Sequence, residues 1–216
     1  LIVMTPKSLL RHKLCVSKIE KFDENSTFHR VLWDDQDLTD DPKRSLAPDD
    51  KIKRVVLGTG KVYYELYEER QKRKINDVYL MRIEQLYPFP HKVLASDLHR
   101  FRNAEIVWCQ EEPKNMGSWT FIRDRLEAVL TQIDHSQHLA RYVGRAEAAS
   151  PATGLMKIHL AEQAALVDEA LSVQAPAPKR RAVSTRAPAK KAPSGKTAAK
   201  KPAPRKTAAA KAPVKK

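Results

Sequence analysis

Short apolar runs alternate along this chain with longer segments in which apolar residues return every three or four positions. The short runs predict strands at Leu1–Met4, Arg54–Leu57, Asp77–Ile83, Glu105–Gln110 and Leu139–Val143, since brief Val/Ile/Leu-rich stretches bounded by turn residues suit buried strands. The periodic segments predict helices between them. Thr5 and Pro6 supply a cap and a first-turn proline for one reaching about Ser17. A second runs from Lys61 to about Lys74 and places Tyr63, Leu66 and Tyr67 on one face, with charges opposite. Pro88 and Pro90 break the chain before a helix over His91–Phe101, another follows over Ser118–Gln132, and the last closes at Leu171. Residues 20–51 carry neither period; Phe28, Val31, Leu32 and Trp33 are the candidates there for a short strand or packing patch. Alternating strands and helices predict an α/β fold, a largely parallel sheet covered on both faces.

Charge divides the chain in two. Fourteen of its 40 Lys and Arg residues lie in 175–216, together with none of its 26 Asp and Glu, so the preceding part carries 26 of each sign. The formal charge of +14 therefore belongs to the tail, and 1–174 is a neutral domain. The tail holds seven of the 14 prolines and no aromatic residue. Such a composition cannot bury enough apolar surface to offset an ordering cost of about 1–2 kcal/mol per residue, so disorder is expected. Its P-A-K-K, A-A-K-K and P-A-P-R-K stretches resemble linker-histone-like arms. They would bind nucleic acid through phosphates without reading bases, or dock on an acidic partner.

Cys15 and Cys109 are far apart and offer neither a disulfide framework nor metal spacing; both sit in apolar runs and read as buried free thiols. No run approaches the ~18–20 apolar residues of a membrane span, and no signal peptide precedes the domain, so a cytoplasmic location and no membrane partner are expected. Leu1 stands inside the first expected strand, which reads as a piece of a longer polypeptide.

Candidate chemistry gathers where strands end, because in open α/β sheets ligands and partners collect in the crevice beyond the strand C-termini. After Ile106–Cys109 comes Q-E-E-P-K-N-M-G-S-W, with Glu111, Glu112 and Asn115 as crevice or interface residues. Arg82 and Glu84 end the preceding strand and face the same crevice; Arg82 pairing a carboxylate across it outweighs direct ligand contact. Gly58-Thr59-Gly60-Lys61 follows a strand and opens a helix, as an anion-binding helix start does, yet it is too short for a P-loop. Thr5-Pro6-Lys7-Ser8 with Arg11 is a second such start. His135 and His138 lack a third ligand, so no metal site is expected. No nucleophile arrangement is present, and no residue is assigned a catalytic role. Trp33, Trp108 and Trp119 read as core.

Five segments, taken in order, resemble the C-terminal domain of the thiamine-diphosphate-dependent decarboxylating component of 2-oxoglutarate dehydrogenase. They are V-M-T-P-K-S-L-L-R-H, G-K-V-Y-Y-E-L, R-I-E-Q-L-Y-P-F-P, Q-E-E-P-K-N-M-G-S-W, and R-Y-V-G-R followed by A-S-P-A-T-G. The final helix H-L-A-E-Q-A-A-L-V-D-E-A-L is similar too, so the resemblance covers about residues 1–172 and stops at the tail. It implies a three-layer, Rossmann-like domain with a mostly parallel five-stranded sheet, of the transketolase C-terminal kind. It further implies a parent subunit that oxidatively decarboxylates 2-oxoglutarate in the tricarboxylic acid cycle and passes the succinyl group to lipoamide. That parent would form a homodimer, bind a dihydrolipoyl succinyltransferase core, and hold thiamine diphosphate and magnesium. The family's Gly-Asp-Gly segment and following Asn are missing from this chain, so no cofactor is expected in it and the isolated chain should be inactive. Relatives bind nucleotide or acyl-CoA effectors outside the active site, which makes Lys7, Ser8, Arg11 and Lys61 candidates for an anionic effector; Thr59 stands where serine is more usual. The alternative is a free-standing, non-enzymatic domain that acts through its basic tail.

Overall fold

The computed structural model describes residues 2–24, 26–34 and 46–173. The tail, and with it the expectation of disorder, lies outside the described residues. Strands β1 (Val31–Leu32), β2 (Arg54–Gly58), β3 (Val78–Ile83), β4 (Glu105–Cys109) and β5 (Arg141–Val143) alternate with helices α1 (Val62–Arg73), α2 (His91–Leu98), α3 (Trp119–Gln132) and α4 (Met156–Leu171). They form one five-stranded sheet in the order β1-β3-β2-β4-β5, parallel throughout except for β1, which runs antiparallel along β3.

The near-continuous apolar runs of β2, β3 and β4 follow from burial on both faces. Val55, Leu57, Tyr79, Met81, Ile106 and Trp108 point to one side and pack under α2 and α3 through Leu94, Leu98, Ile122 and Leu126. Val56, Leu80, Val107 and Cys109 point to the other side and meet Tyr63, Leu66 and Tyr67 of α1 and Leu166 and Ala170 of α4. The alternation is the period of two that a pleated strand imposes. Each fully buried aliphatic side chain contributes about 1.5–3 kcal/mol. A short 3-10 turn, His99–Phe101, extends α2 and puts Phe101 into the core against Tyr79, ring centres 4.7 Å apart.

Two buried arginines tie the layers together. Arg54 of β2 pairs with Glu105 of β4 at 2.6 Å and donates to the carbonyls of Glu169 and Ala170 at 3.0 and 2.8 Å. It thereby caps the last turn of α4, where carbonyls lack helical partners. Arg141 joins Glu105 from β5 at 2.6 Å. Arg70 of α1 reaches under the sheet edge to Asp34, just past β1, and to the Val78 carbonyl at 2.9 Å.

The sequence expectations for residues 54–171 hold within a residue or two at most element ends, whereas the N-terminal ones require correction. Ile2, Val3 and Met4 form no strand and are exposed. The fifth strand is β1, which already occupies the outer edge of β3. The helix expected to Ser17 is a five-residue 3-10 turn, Lys7–Arg11, with no side-chain cap and no buried residue. Only Leu9 of this turn packs against the core, and only in part, so the segment gains too little from packing to extend. Cys15 is exposed while Cys109 is buried. Trp33 is 38% exposed and donates its indole N–H to Asp97 at 3.0 Å, whereas Trp108 and Trp119 are core. His135 is a satisfied core histidine: its Nε2 donates to the Phe101 carbonyl at 2.9 Å and its Nδ1 accepts the Gln137 backbone N–H at 3.0 Å.

Candidate functional site

Strands β3 and β4 lie on opposite sides of β2, so the chain reverses direction of travel there and opens a crevice beyond the C-terminal ends of β2 and β4. Gly58 ends β2; a Cβ at this position would stand 3.1 Å from the Cys109 carbonyl oxygen, tight against backbone that cannot swing aside. The chain then turns through Gly60 into α1, bringing Lys61 to the crevice.

Lys61 is held by the protein's own carboxylates. Its Nζ lies 2.7 Å from Glu111 and also pairs with Glu65, one turn along α1. The other Glu65 oxygen accepts from Gln163 Nε2 at 2.6 Å, Gln163 Oε1 accepts from Arg145 Nη2 at 3.0 Å, and Arg145 Nη1 donates to the Glu111 carbonyl at 2.9 Å. These contacts close a ring through Lys61, Glu65, Gln163, Arg145 and Glu111, drawn from α1, α4 and the loops after β4 and β5. Two cations face two carboxylates in it, so the partly buried charges are compensated. Burial alone would lower the Lys61 pKa, but hydrogen bonds and attraction from Glu111 and Glu65 outweigh it and leave it above its ordinary 10.5.

Gln110 organises the Q-E-E-P-K-N-M-G-S-W turn. Its buried amide oxygen accepts from Trp108 Nε1 at 2.9 Å and from the Trp119 backbone at 3.0 Å. Its amide nitrogen donates to the carbonyls of Glu112, Pro113 and Met116 at 3.2, 3.2 and 2.7 Å. Gly117, at φ +65°, completes the turn where a Cβ would meet Gln110 Nε2 at 2.9 Å. Asn115 clamps the neighbouring loop through both bonds of an amide pair with the Ala148 backbone, at 3.0 and 3.1 Å. Tyr142, pushed up to about 12 by burial, donates its hydroxyl to the Glu112 and Arg145 carbonyls. The Glu112 side chain is exposed, and it is the residue's carbonyl that joins the two loops.

Beside this joint lies a cavity of about 380 Å³ walled by Pro113, Ala146, Ala148, Thr153, Arg145 and Glu162. Arg145 Nε lies 3.1 Å from Glu162 Oε2 as an ion pair without hydrogen-bond geometry, and its Nη2 lies 3.0 Å from His159 Nδ1, which must accept because a guanidinium only donates.

Arg82 lies over the rings of Tyr63 and Tyr64, 4.2 and 5.6 Å from their centres, a cation–π arrangement. Its carboxylate neighbour is Glu84 at 3.9 Å; among the described residues no ion pair joins Arg82 to Glu111 or Glu112. Lys7, Ser8 and Arg11 are exposed on the 3-10 turn, and no described contact links them to Lys61. The structure thus brings Lys61 and Glu111 together, sets Asn115 and Glu112 beside them, and leaves Lys7, Ser8, Arg11 and Arg82 apart from that network. Gln110, Arg145 and Gln163 were not singled out from the sequence, although all three stand inside quoted segments; nothing local marks a glutamine on α4 as a link. Among the described residues no three His, Cys, Asp or Glu side chains gather as a metal ion would require.

These features define a three-layer α/β domain whose switch-point crevice is closed by its own side chains. Residues 16–171 match the sequence model described as 2-oxoglutarate dehydrogenase C-terminal, and the chain belongs to that family. The 2-oxoglutarate dehydrogenase E1 component of Brucella anthropi is 61% identical over 171 residues, covering 79% of this chain and 17% of that protein. Those of Brucella ovis and Brucella canis are 60% identical over the same shares. The chain spans about 17% of the length of the curated relatives it matches.

Proposed function

We propose that this chain works as the C-terminal domain of a 2-oxoglutarate dehydrogenase E1 subunit, supporting the subunit's assembly and leaving the chemistry to the rest of it. The observation that carries this is identity of 60–61% over 171 residues to E1 components. Oxidative decarboxylation of 2-oxoglutarate and succinyl transfer to lipoamide would belong to the whole subunit, as would its homodimer and its dock on a succinyltransferase core. Thiamine diphosphate and magnesium would be held there too, because the residues of this chain do not fit them: it lacks a Gly-Asp-Gly segment. An anionic effector would have to compete with Glu111 for Lys61, while Lys7, Ser8 and Arg11 are exposed and open to one.

A chimera tests the reading: residues 1–173 replacing the aligned segment of the Brucella anthropi E1 component, assayed for thiamine-dependent decarboxylation. Activity within about threefold of the parent, with none from the chain alone, is the expected result. A folded but inactive chimera, or turnover by the isolated chain, refutes it.

The fourteen cations of residues 175–216, unaccompanied by any acidic residue, favour a second reading in which the tail binds duplex nucleic acid. Electrophoretic shift of a random-sequence duplex, lost on deleting the tail and steeply weakened by salt, would support it. Equal shifts with and without the tail would end it.

A further inference from the structure

Apolar exposure is concentrated in the N-terminal part of the described chain. Eight large apolar side chains between residues 2 and 28 are exposed by two-thirds or more, among them Ile2, Met4, Val16, Ile19, Phe22 and Phe28. Residues 46–173 contribute only Tyr87 and Met156 at that level. Together the eight present on the order of 1,000 Å² of exposed apolar side chain, of the same order as the roughly 800 Å² a stable interface takes from each partner. The segment does not cover itself. Residues 2–5 make no backbone hydrogen bond among the described residues, and the turns at Lys7–Arg11 and Ile19–Phe22 have no side-chain caps. Leu14, Val16, Phe22 and Phe28 line one side of a cavity of about 530 Å³ whose other side is Tyr64 and Arg82. The arm thus leaves an open, apolar, partly grooved face.

We infer that residues 2–28 are a docking arm whose partner is an apolar protein surface in the remaining part of the E1 subunit. This rests on the function proposed above. The E1 relatives extend well beyond the matched 17% of their length, and the family match begins only at residue 16, inside the arm. A surface of one chain in fixed register suits an arm that carries several anchors at set spacing. Val16, Phe22 and Phe28 insert into that surface and the run Ile2–Met4 pairs its free backbone groups there, as an extended segment added to a sheet edge does.

Hydrogen–deuterium exchange separates the possibilities, with the free 216-residue chain compared against the chimera. Peptides within residues 2–24 are expected to exchange at least tenfold more slowly in the chimera, while the core strands exchange alike in both. Equal exchange of the arm in the two proteins overturns the inference. So does protection in the free chain that rises with protein concentration alongside dimerisation, which would make a second copy the partner. Protection of the free chain on adding phosphatidylcholine vesicles would make the partner a bilayer and overturn it as well. The triple variant V16S/F22S/F28S supplies an independent readout. It should leave the Tm of the free chain within about 2 °C, because these side chains are exposed, and lower that of the chimera by more than 5 °C; equal shifts in both overturn the inference. Decarboxylase activity of the chimera reports the proposed function separately. An active chimera with an unprotected arm defeats only the docking, and an inactive chimera with a protected arm defeats only the function.

Discussion

Removing the Asp34 carboxylate should cost this domain a large part of its stability. Asp34 and Arg70 are both fully buried. The carboxylate takes a guanidinium nitrogen at 2.7 Å through one oxygen; the other oxygen pairs with the second nitrogen and accepts the Leu80 amide at 2.8 Å. Among the described residues, Asp34→Ala would leave the guanidinium in the core with the Val78 carbonyl and the Tyr67 ring for company. It would also strand the Leu80 N–H. Breaking a buried pair from one side costs about 3–5 kcal/mol, against a total stability of about 5–15 kcal/mol for a domain. With a urea slope of about 2 kcal/mol/M, the midpoint should fall by about 1.5–2.5 M. Equilibrium urea unfolding followed by far-UV circular dichroism measures this. Asp34→Leu combined with Arg70→Met should recover most of the loss, since a well-packed apolar replacement removes both charges at once. A single-variant shift below about 0.5 M would refute the claim that the pair secures β1 and α1, and a double variant no better than the single would refute the unpaired charge as the cause.

Gln110→Ala should destabilise the domain by about 3 kcal/mol, because it strands two buried donors and three carbonyls around one turn; tryptophan fluorescence from Trp108 and Trp119 during urea unfolding would register it. Iodoacetamide at pH 8 should place one adduct on the native chain, at exposed Cys15, and two on the urea-unfolded chain. Burial, with the nearby Glu111 charge, pushes the Cys109 thiol up to about 12, and intact mass reads the count. Glu105 supplies a pH dependence: burial would raise its pKa, but Arg141 and Arg54 more than cancel this and hold it below the ordinary 4.5. Its contribution is therefore complete above pH 4.5 and is lost as pH falls through the lowered folded value. Glu105→Gln should flatten the decline in urea midpoint between pH 5 and pH 3, and an unchanged decline would count against this pairing.

Much of the sheet and its helices was legible because buried elements write their period into the sequence. β2, β3 and β4 are apolar runs closed by glycine or polar residues, and α1 carries Tyr63, Leu66 and Tyr67 at helical spacing. Ile2–Met4 misled because an apolar run reports only that a segment is to be covered, not that it pairs in its own sheet. The Thr5-Pro6 start misled for a related reason: a cap signal opens a helix, but only a packed face sustains one. At the site, Glu111 and Asn115 were readable as crevice residues after a strand end, and Gly58–Lys61 as the opening of a helix. The partners were not readable. Gln163 lies on α4 among residues of ordinary helical type, and nothing within its own neighbourhood states that it bridges Glu65 to Arg145. Asp34 and Arg70 sit in a loop and on a charged helix, where solvated side chains are the rule. Long-range polar pairing follows from topology, which spacing along the chain does not encode.

The ring through Lys61, Glu65, Gln163, Arg145 and Glu111 also constrains how this domain can change over generations. Replacing any one charged member leaves a neighbour facing an empty position, so single substitutions there are penalised, whereas a matched exchange of two can pass. Residues scattered from α1 to α4 are then inherited as a single character, and descendants of this sequence should alter them in pairs or not at all.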